Sequence, residues 1–295
     1  MDRVGDKHER RATGLGHNNS KRLRSAAAAT EELDVYISNI RRETFSAETM
    51  IDLISKKGAD PNHLCGNDQF TALMGLSSLG RGRVDDRLHG ELMKGFRFLL
   101  QIPNIDVNLK DRYGNALIHK VGRMEDPAFL TMLFGNKASR EHINSFGGIG
   151  FSALHIACHF SSVSIQNIQT LLENGADPYL PSHGLLGYPA LLWAVRECGK
   201  DGDLGRLKHI LDIFLDYGVD IGELRGAQGE TIMHVVAVYV NDAGFCTNVL
   251  NHRGYRVLNV RNNAGRTPLE EAETLHRANV IGAIKRYMSR VTRAG

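Results

Sequence analysis

The sequence predicts an all-α fold: a solenoid of stacked helix–turn–helix units with β-turn fingers. Three observations carry that prediction. A helix terminator recurs, as LISKKGADPN (53–62), LLENGADPYL (171–180) and LDYGVDI (215–221), with NIDVN (104–108) a weaker copy. A helix-start signature recurs six times, in QFTALMGL (69–76), GNALIHKV (114–121), GFSALHIA (150–157), GYPALLWA (187–194), GETIMHVV (229–236) and GRTPLEEA (265–272). Aromatic residues make up only 7% of the 295 residues, with a single Trp. A core of Leu, Ile, Val and Ala suits packed helices better than a β-sandwich.

From the N-terminus, residues 1–29 are polar and basic, with GLGHNNS ahead of a run of alanines, and read as a disordered tail. Thr30 is placed to cap the helix EELDVYISNI. Residues 30–62 then give a helix pair ending in GADPN but lacking the second signature, as a terminal capping unit does. Repeats are expected to start near 66, 111, 147, 184, 226 and 262, in a domain spanning 30–290. In each terminator Gly suits a left-handed helix cap, and Asp-Pro stops the helix from continuing. In each signature a leading Thr or Ser caps free N–H groups, and Pro fits the first turn. Leu lies on the core stripe, and the small Ala lets neighbouring helices approach. ANVIGAIKRYMSR (278–290) gives a last helix with basic residues near its C-terminal end, which favours the helix dipole. Residues 291–295 read as a disordered C-terminus.

Aligned, the six signatures converge on G-x-T-P-L-H-x-A. This resembles the ankyrin-repeat family, whose unit of about 33 residues is a β-turn and two helices, with T-P-L-H-x-A at the first helix. The resemblance covers residues 30–288. It implies a structural framework of Thr71, Leu73, Leu117, His119, Ser152, Leu154, His155, Ala157, Ala194, Thr231, His234, Thr267, Pro268 and Leu269. In that framework the His side chains tie a helix to the adjoining turn. Departures weaken particular units. Ala72, Ala153 and Ala190 stand in the Pro slot, and Ala116 and Pro189 in the capping slot. Met74, Leu192 and Glu270 stand where His is expected, so the His bond is expected to be missing there. The copies are spaced by 45, 36, 37, 42 and 36 residues. The surplus is expected in loops around 77–90 and 196–205, which are Gly-rich and charged.

Charge and motifs exclude several functions. Net charge is +3, but residues 1–24 carry seven bases and three acids, leaving the other 271 residues at −1. A nucleic-acid-binding domain would place a basic face on the fold itself, so nucleic acid is not the expected partner. KRLR (21–24) and ERR (9–11) form a basic patch in the tail. It is the basis of an alternative reading: a nuclear or host-targeted regulatory protein that uses the tail for localisation or nucleic-acid contact. The four cysteines are widely spaced, with no C-x-x-C. No apolar leader opens the chain, and no apolar run approaches a bilayer span. The expectation is an intracellular, cytoplasmic protein without membrane insertion. No phosphate loop, serine-nucleophile elbow or H-E-x-x-H is present, so no catalytic residue, small-molecule substrate or cofactor is expected. His155, Cys158 and His159 have an H-x-x-C-H spacing, yet no second close Cys/His pair completes a metal site. His119, His155 and His234 occupy one slot in different repeats, about 10 Å apart per unit, too far to share a metal ion.

The resemblance implies a protein–protein interaction module that binds a partner protein through its concave face. Turn tips and the exposed side of the first helices then supply the contacts. The turn-tip candidates are Asn67, Asp68, Phe70, Arg112, Tyr113, Asn115, Ile149, Phe151, Leu185, Leu186, Tyr188, Gln228, Glu230, Asn263 and Arg266. The helix-face candidates are Leu79, Arg123, Met124, His159, Phe160, Arg196, Glu197 and Tyr239. Ile149, Phe151, Phe160, Leu185, Leu186 and Tyr188 are expected to form an exposed apolar patch rimmed by Arg112, Tyr113, Arg123 and Arg196.

Overall fold

The computed structural model describes residues 9–136, 138–252 and 254–294. It is all-α, with no strand among the described residues. The chain divides into two compact units, Met1–Leu117 and Ile118–Gly295.

The first unit contains α1 (Glu9–Ser38), α2 (Ala47–Ser55), α3 (Ala72–Leu79) and α4 (Asp86–Leu100). Helix α2 packs on α1 and α4, and α3 packs on the same two helices. Leu33, Phe45, Met50, Leu73, Leu76, Leu92 and Phe96 fill the space between them. Helix α5 (Leu117–Val121) begins at the division between units.

The second unit continues with α6 (Ala128–Phe134), α7 (Ala138–Glu141), α8 (Ala153–His159) and α9 (Ile165–Glu173). Next come α10 (Ala190–Asp201), α11 (Leu204–Asp216), α12 (Ile232–Tyr239) and α13 (Ala243–Asn251). A 3-10 turn at Gly254–Val257 leads to α14 (Pro268–Thr274) and α15 (Ala278–Ala294). The first helices α8, α10, α12 and α14 stack in that order. Each is backed by its own second helix: α9 on α8, α11 on α10, α13 on α12 and α15 on α14. Leu154, Leu191, Val236, Ile168, Ile210, Phe214, Val249 and Ile284 are buried between the layers. Each unit alone exposes an apolar stripe, so stacking is what stabilises it.

Two terminal expectations change. The stretch 9–29, read as a disordered tail, belongs to α1. The strong helix formers of KRLRSAAAA (21–29) carry the helix back past Thr30. Thr30 is therefore not a cap: its Oγ1 donates to the Ala26 carbonyl (2.9 Å) and accepts from the Asp60 N–H (3.0 Å). Lys21, Arg22 and Arg24 are solvent-exposed on this helix. Residues 1–8 lie outside the described residues. At the other end α15 runs through 291–294, with Gly295 outside the description.

The surplus between motif copies also resolves differently. The first surplus shortens to a loop between Leu79 and Asp86. The second lengthens the helices instead: α10 has 12 residues and α11 has 13, joined through Gly202 in the left-handed conformation (φ 74°).

Turn fingers precede the first helices. The N–H of Gly147 donates to the Phe151 carbonyl (2.9 Å), Gly226 to Glu230 (2.8 Å) and Asn262 to Arg266 (2.9 Å). Each of these closes five residues. The finger before α10 closes from Ser182 to Tyr188 (3.1 Å), two residues longer than its neighbours. Adjacent fingers are joined by His183 N–H to Gly150 O (2.9 Å), Ala227 N–H to Leu186 O (2.7 Å) and Asn263 N–H to Gln228 O (2.8 Å).

Candidate partner-binding face

The helix starts show how the framework is held. Thr71 Oγ1 accepts from the Met74 N–H (3.3 Å) and caps α3. Ser152 caps α8, and Thr231 caps α12. In both, the His three residues on accepts at Nδ1 from the cap's own N–H, at 3.3 Å for His155 and 3.2 Å for His234. That fixes the ring proton on Nε2, which donates to the next finger: His155 to the Tyr188 carbonyl (3.1 Å) and His234 to the Arg266 carbonyl (2.8 Å). His119 Nε2 lies 2.9 Å from the Ser145 carbonyl. Leu73, Leu117, Leu154, Ala157 and Ala194 are buried beside them, whereas Leu269 is half-buried. Pro189 makes no side-chain cap on α10. Glu270, which stands in the His slot, replaces half of the His function. Its Oε2 accepts from the Thr267 N–H (2.8 Å), completing a capping box ahead of Pro268.

Burial pushes His155 down to about 4, against the opposing effect of its bonds to backbone carbonyls. His234 is lowered for the same first reason. Both rings are neutral structural groups with both nitrogens engaged. Cys158 is buried in the core, and its thiol is pushed strongly up by burial. The H-x-x-C-H spacing therefore spreads over two different environments. Among the described residues, no three His, Cys, Asp or Glu converge to hold a metal ion.

His159 lies one turn beyond His155, on the solvent side of α8. It begins a cluster confined to the second unit. Its ring is 4.6 Å from Phe160, 5.4 Å from Phe151 and 5.8 Å from Trp193, between centroids. Trp193 is 5.0 Å from Phe151 and 5.8 Å from Tyr188, and its Nε1–H donates to Ser182 Oγ (2.8 Å). Cations lie over these rings. The Arg123 guanidinium stands 3.9 Å above Phe160; that of Arg196 is 4.9 Å from Trp193 and 5.6 Å from Tyr239. Lys200 Nζ is 5.6 Å from Tyr239. Glu197 pairs with Arg196 and lies 3.6 Å from Lys200. Burial first, then the charges of Arg196, Arg123 and Lys200, hold His159 below the usual imidazole range; Asp201 partly opposes them.

The expected apolar patch is only partly present. Ile149 (64% exposed) and Leu185 (90%) project from the finger tips. Leu185 does so because its finger is two residues longer. Phe160 and Leu186 are half-buried. Phe151 (8%) and Tyr188 (3%) are buried, which corrects their placement on the surface. Phe151 is walled by His155, His159 and Trp193. Tyr188 packs edge-on against Trp193 and donates its hydroxyl to Glu230 Oε1 (3.2 Å). Leu79 and Met124 are also buried: Leu79 faces the first unit's core, and the Met124 carbonyl accepts from Asn167 Nδ2 (2.8 Å). In the first unit Phe70 is half-buried, while Arg112 and Tyr113 are exposed, with the guanidinium 5.4 Å from the ring. Tyr113 donates to Asp68 Oδ1 (3.0 Å).

Trp193 and Lys200 were missing from the sequence-based candidates. Trp193 fills the variable slot just before the small Ala194, where the other copies hold Gly75, Lys120, Ile156, Val235 and Glu271. A large aromatic in a slot where no other copy has one is the available signal. Lys200 lies one turn beyond Arg196, on a helix that was expected to have ended.

An ankyrin-repeat family model matches residues 149–183. Among solved structures, the ankyrin repeat domain of Bcl-3, described as a unique member of the IkappaB protein family, shares 17% identity, with a TM-score of 0.61 over 86% of this chain and 97% of that one. A chain in the structure of the Bd0816 predatory endopeptidase from Bdellovibrio bacteriovorus, in complex with immunity protein Bd3460, shares 18% identity. Its TM-score is 0.56 over 74% of this chain and 98% of that one. No curated protein matches the chain. With its capped first helices and inter-finger histidine bonds, the chain has the all-α fold of an ankyrin-repeat solenoid, and residues 149–183 match the repeat itself. Ankyrin repeats are in general protein–protein interaction modules. Among the described residues no helix is long and apolar enough to cross a membrane.

Proposed function

We propose that this protein is a non-enzymatic binding module that holds a partner protein against the first-helix face of its second unit. The observation that carries this reading is the interleaving of half-buried Phe160, Trp193 and Tyr239 with Arg123 and Arg196 on one face. Aromatic and Arg side chains of this kind dominate interface energetics. Ile149 and Leu185 add apolar contact at the finger tips. The rings and cations already hold one another in place, so a partner would meet a preformed surface at low ordering cost. The Bd0816 structure, named as a complex with an immunity protein, is in line with a binding role.

Affinity capture from native lysate tests this. The full chain is compared with Phe160→Ser/Tyr239→Ser and Leu185→Ser variants whose melting temperatures match it. A partner retained by the parent and lost from the variants supports the reading. Identical retention by all three removes the face from consideration.

A further inference from the structure

Three positive charges converge on one imidazole against two carboxylates, Glu197 and Asp201. Arg123, Arg196 and Lys200 each depress His159 electrostatically. Among the described residues Glu197 is the one carboxylate in ion-pair range of these cations, divided between Arg196 and Lys200, while Asp201 also acts on the ring. Arg123 stacks on Phe160 and makes no ion pair among the described residues. Two polar atoms beside them, His159 Nδ1 and Arg196 Nε, are buried with no hydrogen-bond partner among the described residues. Buried donors and acceptors left unpaired cost free energy, and like charges held together cost more. An arrangement that leaves both unanswered is suited to an anion from outside the chain.

We infer that the partner segment docking on this face is an acidic peptide. A carboxylate of it would sit among Arg123, Arg196 and Lys200 beside His159, with apolar neighbours along Phe160, Trp193 and Tyr239. This rests on the partner-binding reading above and adds the chemistry of the partner. The arriving carboxylate supplies an acceptor for Arg196 Nε–H and offsets the three cations. It also favours the protonated imidazole, whose Nδ1–H would then donate to it. Arg196, Arg123, Lys200 and Asp201 are the charged groups that face this ring. Protonation therefore follows the loss of net positive field on binding, and affinity should rise as pH falls. A single-stranded nucleic acid also stacks on aromatic rings, but it needs cations tracking many phosphates. Here Glu197 interrupts the row, and the chain beyond residue 24 is net −1.

Trp193 is the only tryptophan in the chain, so its emission reports on this site alone. The full-length protein is titrated with the blocked hexapeptide Glu-Glu-Leu-Glu-Glu-Leu, with its Gln and Lys analogues, with hexauridylate and with inorganic phosphate. The expected result is a saturable shift of Trp193 emission with the Glu peptide alone, weakening between about 0.05 and 0.5 M salt. Arg123→Gln/Lys200→Gln, with circular dichroism and melting unchanged, should raise the half-saturation concentration about tenfold. Arg123→Lys/Lys200→Arg should restore most of it. Equal response to the Gln peptide, or preference for hexauridylate or phosphate, overturns the acidic-peptide assignment. So does no response to the Glu peptide, even where lysate capture through the same face succeeds. That last pair of results would sink this inference and leave the partner-binding reading standing.

Discussion

His155 Nε2 lies 3.1 Å from the carbonyl oxygen of Tyr188, a residue 33 positions later in the chain. One neutral ring thereby links its own helix cap to the next finger. Its proton affinity gives a signed prediction. The unfolded ring titrates at 6.5, and burial lowers the folded value to about 4. A depressed folded value means the contribution is complete above 6.5 and is lost as pH falls from 6.5 toward 4. The size is on the order of 3 kcal/mol. His234 shifts in the same direction, so the two losses overlap. Urea midpoints measured from pH 8 to pH 4 should fall mainly over that window. His155→Ala should cost about 2–4 kcal/mol at pH 8 and flatten the acid slope. A midpoint insensitive to pH down to 4 would show that this ring is not held neutral.

Phe151 and Tyr188 behave as core, although their positions in the repeat suggest surface. Truncating either ring empties space beside Trp193. Phe151→Ala is expected to destabilise the fold by about 3–5 kcal/mol. Tyr188→Phe keeps the ring and loses only the bond to Glu230, so it should cost about 1 kcal/mol. Thermal melts of the two variants separate these effects; equal and small losses would place the rings back at the surface.

The fold was readable because the repeat signature is local. Thr71, Ser152, Thr231 and Thr267 each cap the helix that follows them, and a cap depends on residues only three positions away. The candidate face was less readable because exposure depends on the neighbouring repeat. Phe151 sits on a finger, yet Trp193, 42 positions on, closes over it. Leu185 is exposed because its finger gained two residues, a length visible only once Ser182 and Tyr188 are seen to pair. The start of α1 is hidden in the sequence for the opposite reason. Thr30 has the chemistry of a cap, but the alanines before it sustain a helix, and its hydroxyl bonds back to Ala26.

The four thiols should be chemically quiet. All are buried, and burial is the first cause of each upward shift. Cys65 and Cys246 are pushed up to about 12 and Cys198 to about 11, the latter eased by Arg206. The thiolate is the reactive form, so alkylation at pH 7.5 should be negligible in the native state and rapid in denaturant. Mass-resolved labelling over time would check it. Cys198 is expected to react first, and prompt labelling of Cys158 would contradict the packing described for α8.

Neighbouring fingers make opposite demands on adjacent residues, which can be tested as a pair. Gly150 adopts φ +77°, a conformation that side chains disfavour. A Cβ there would lie 2.5 Å from the Cβ of His183, whose N–H is already bonded to the Gly150 carbonyl. Because that bond holds His183 close, the clash cannot be relieved by a side-chain rotation alone. Gly150→Ala should therefore destabilise the fold by about 1–3 kcal/mol through combined strain and loss of the inter-finger bond. Leu185, at the tip of the very next finger, buries almost nothing, and Leu185→Ser should leave stability within about 0.5 kcal/mol. Denaturant melts of both variants check the contrast. A stability loss in Leu185→Ser equal to that in Gly150→Ala would mean that the finger tip is packed, and would remove Leu185 from the proposed contact surface.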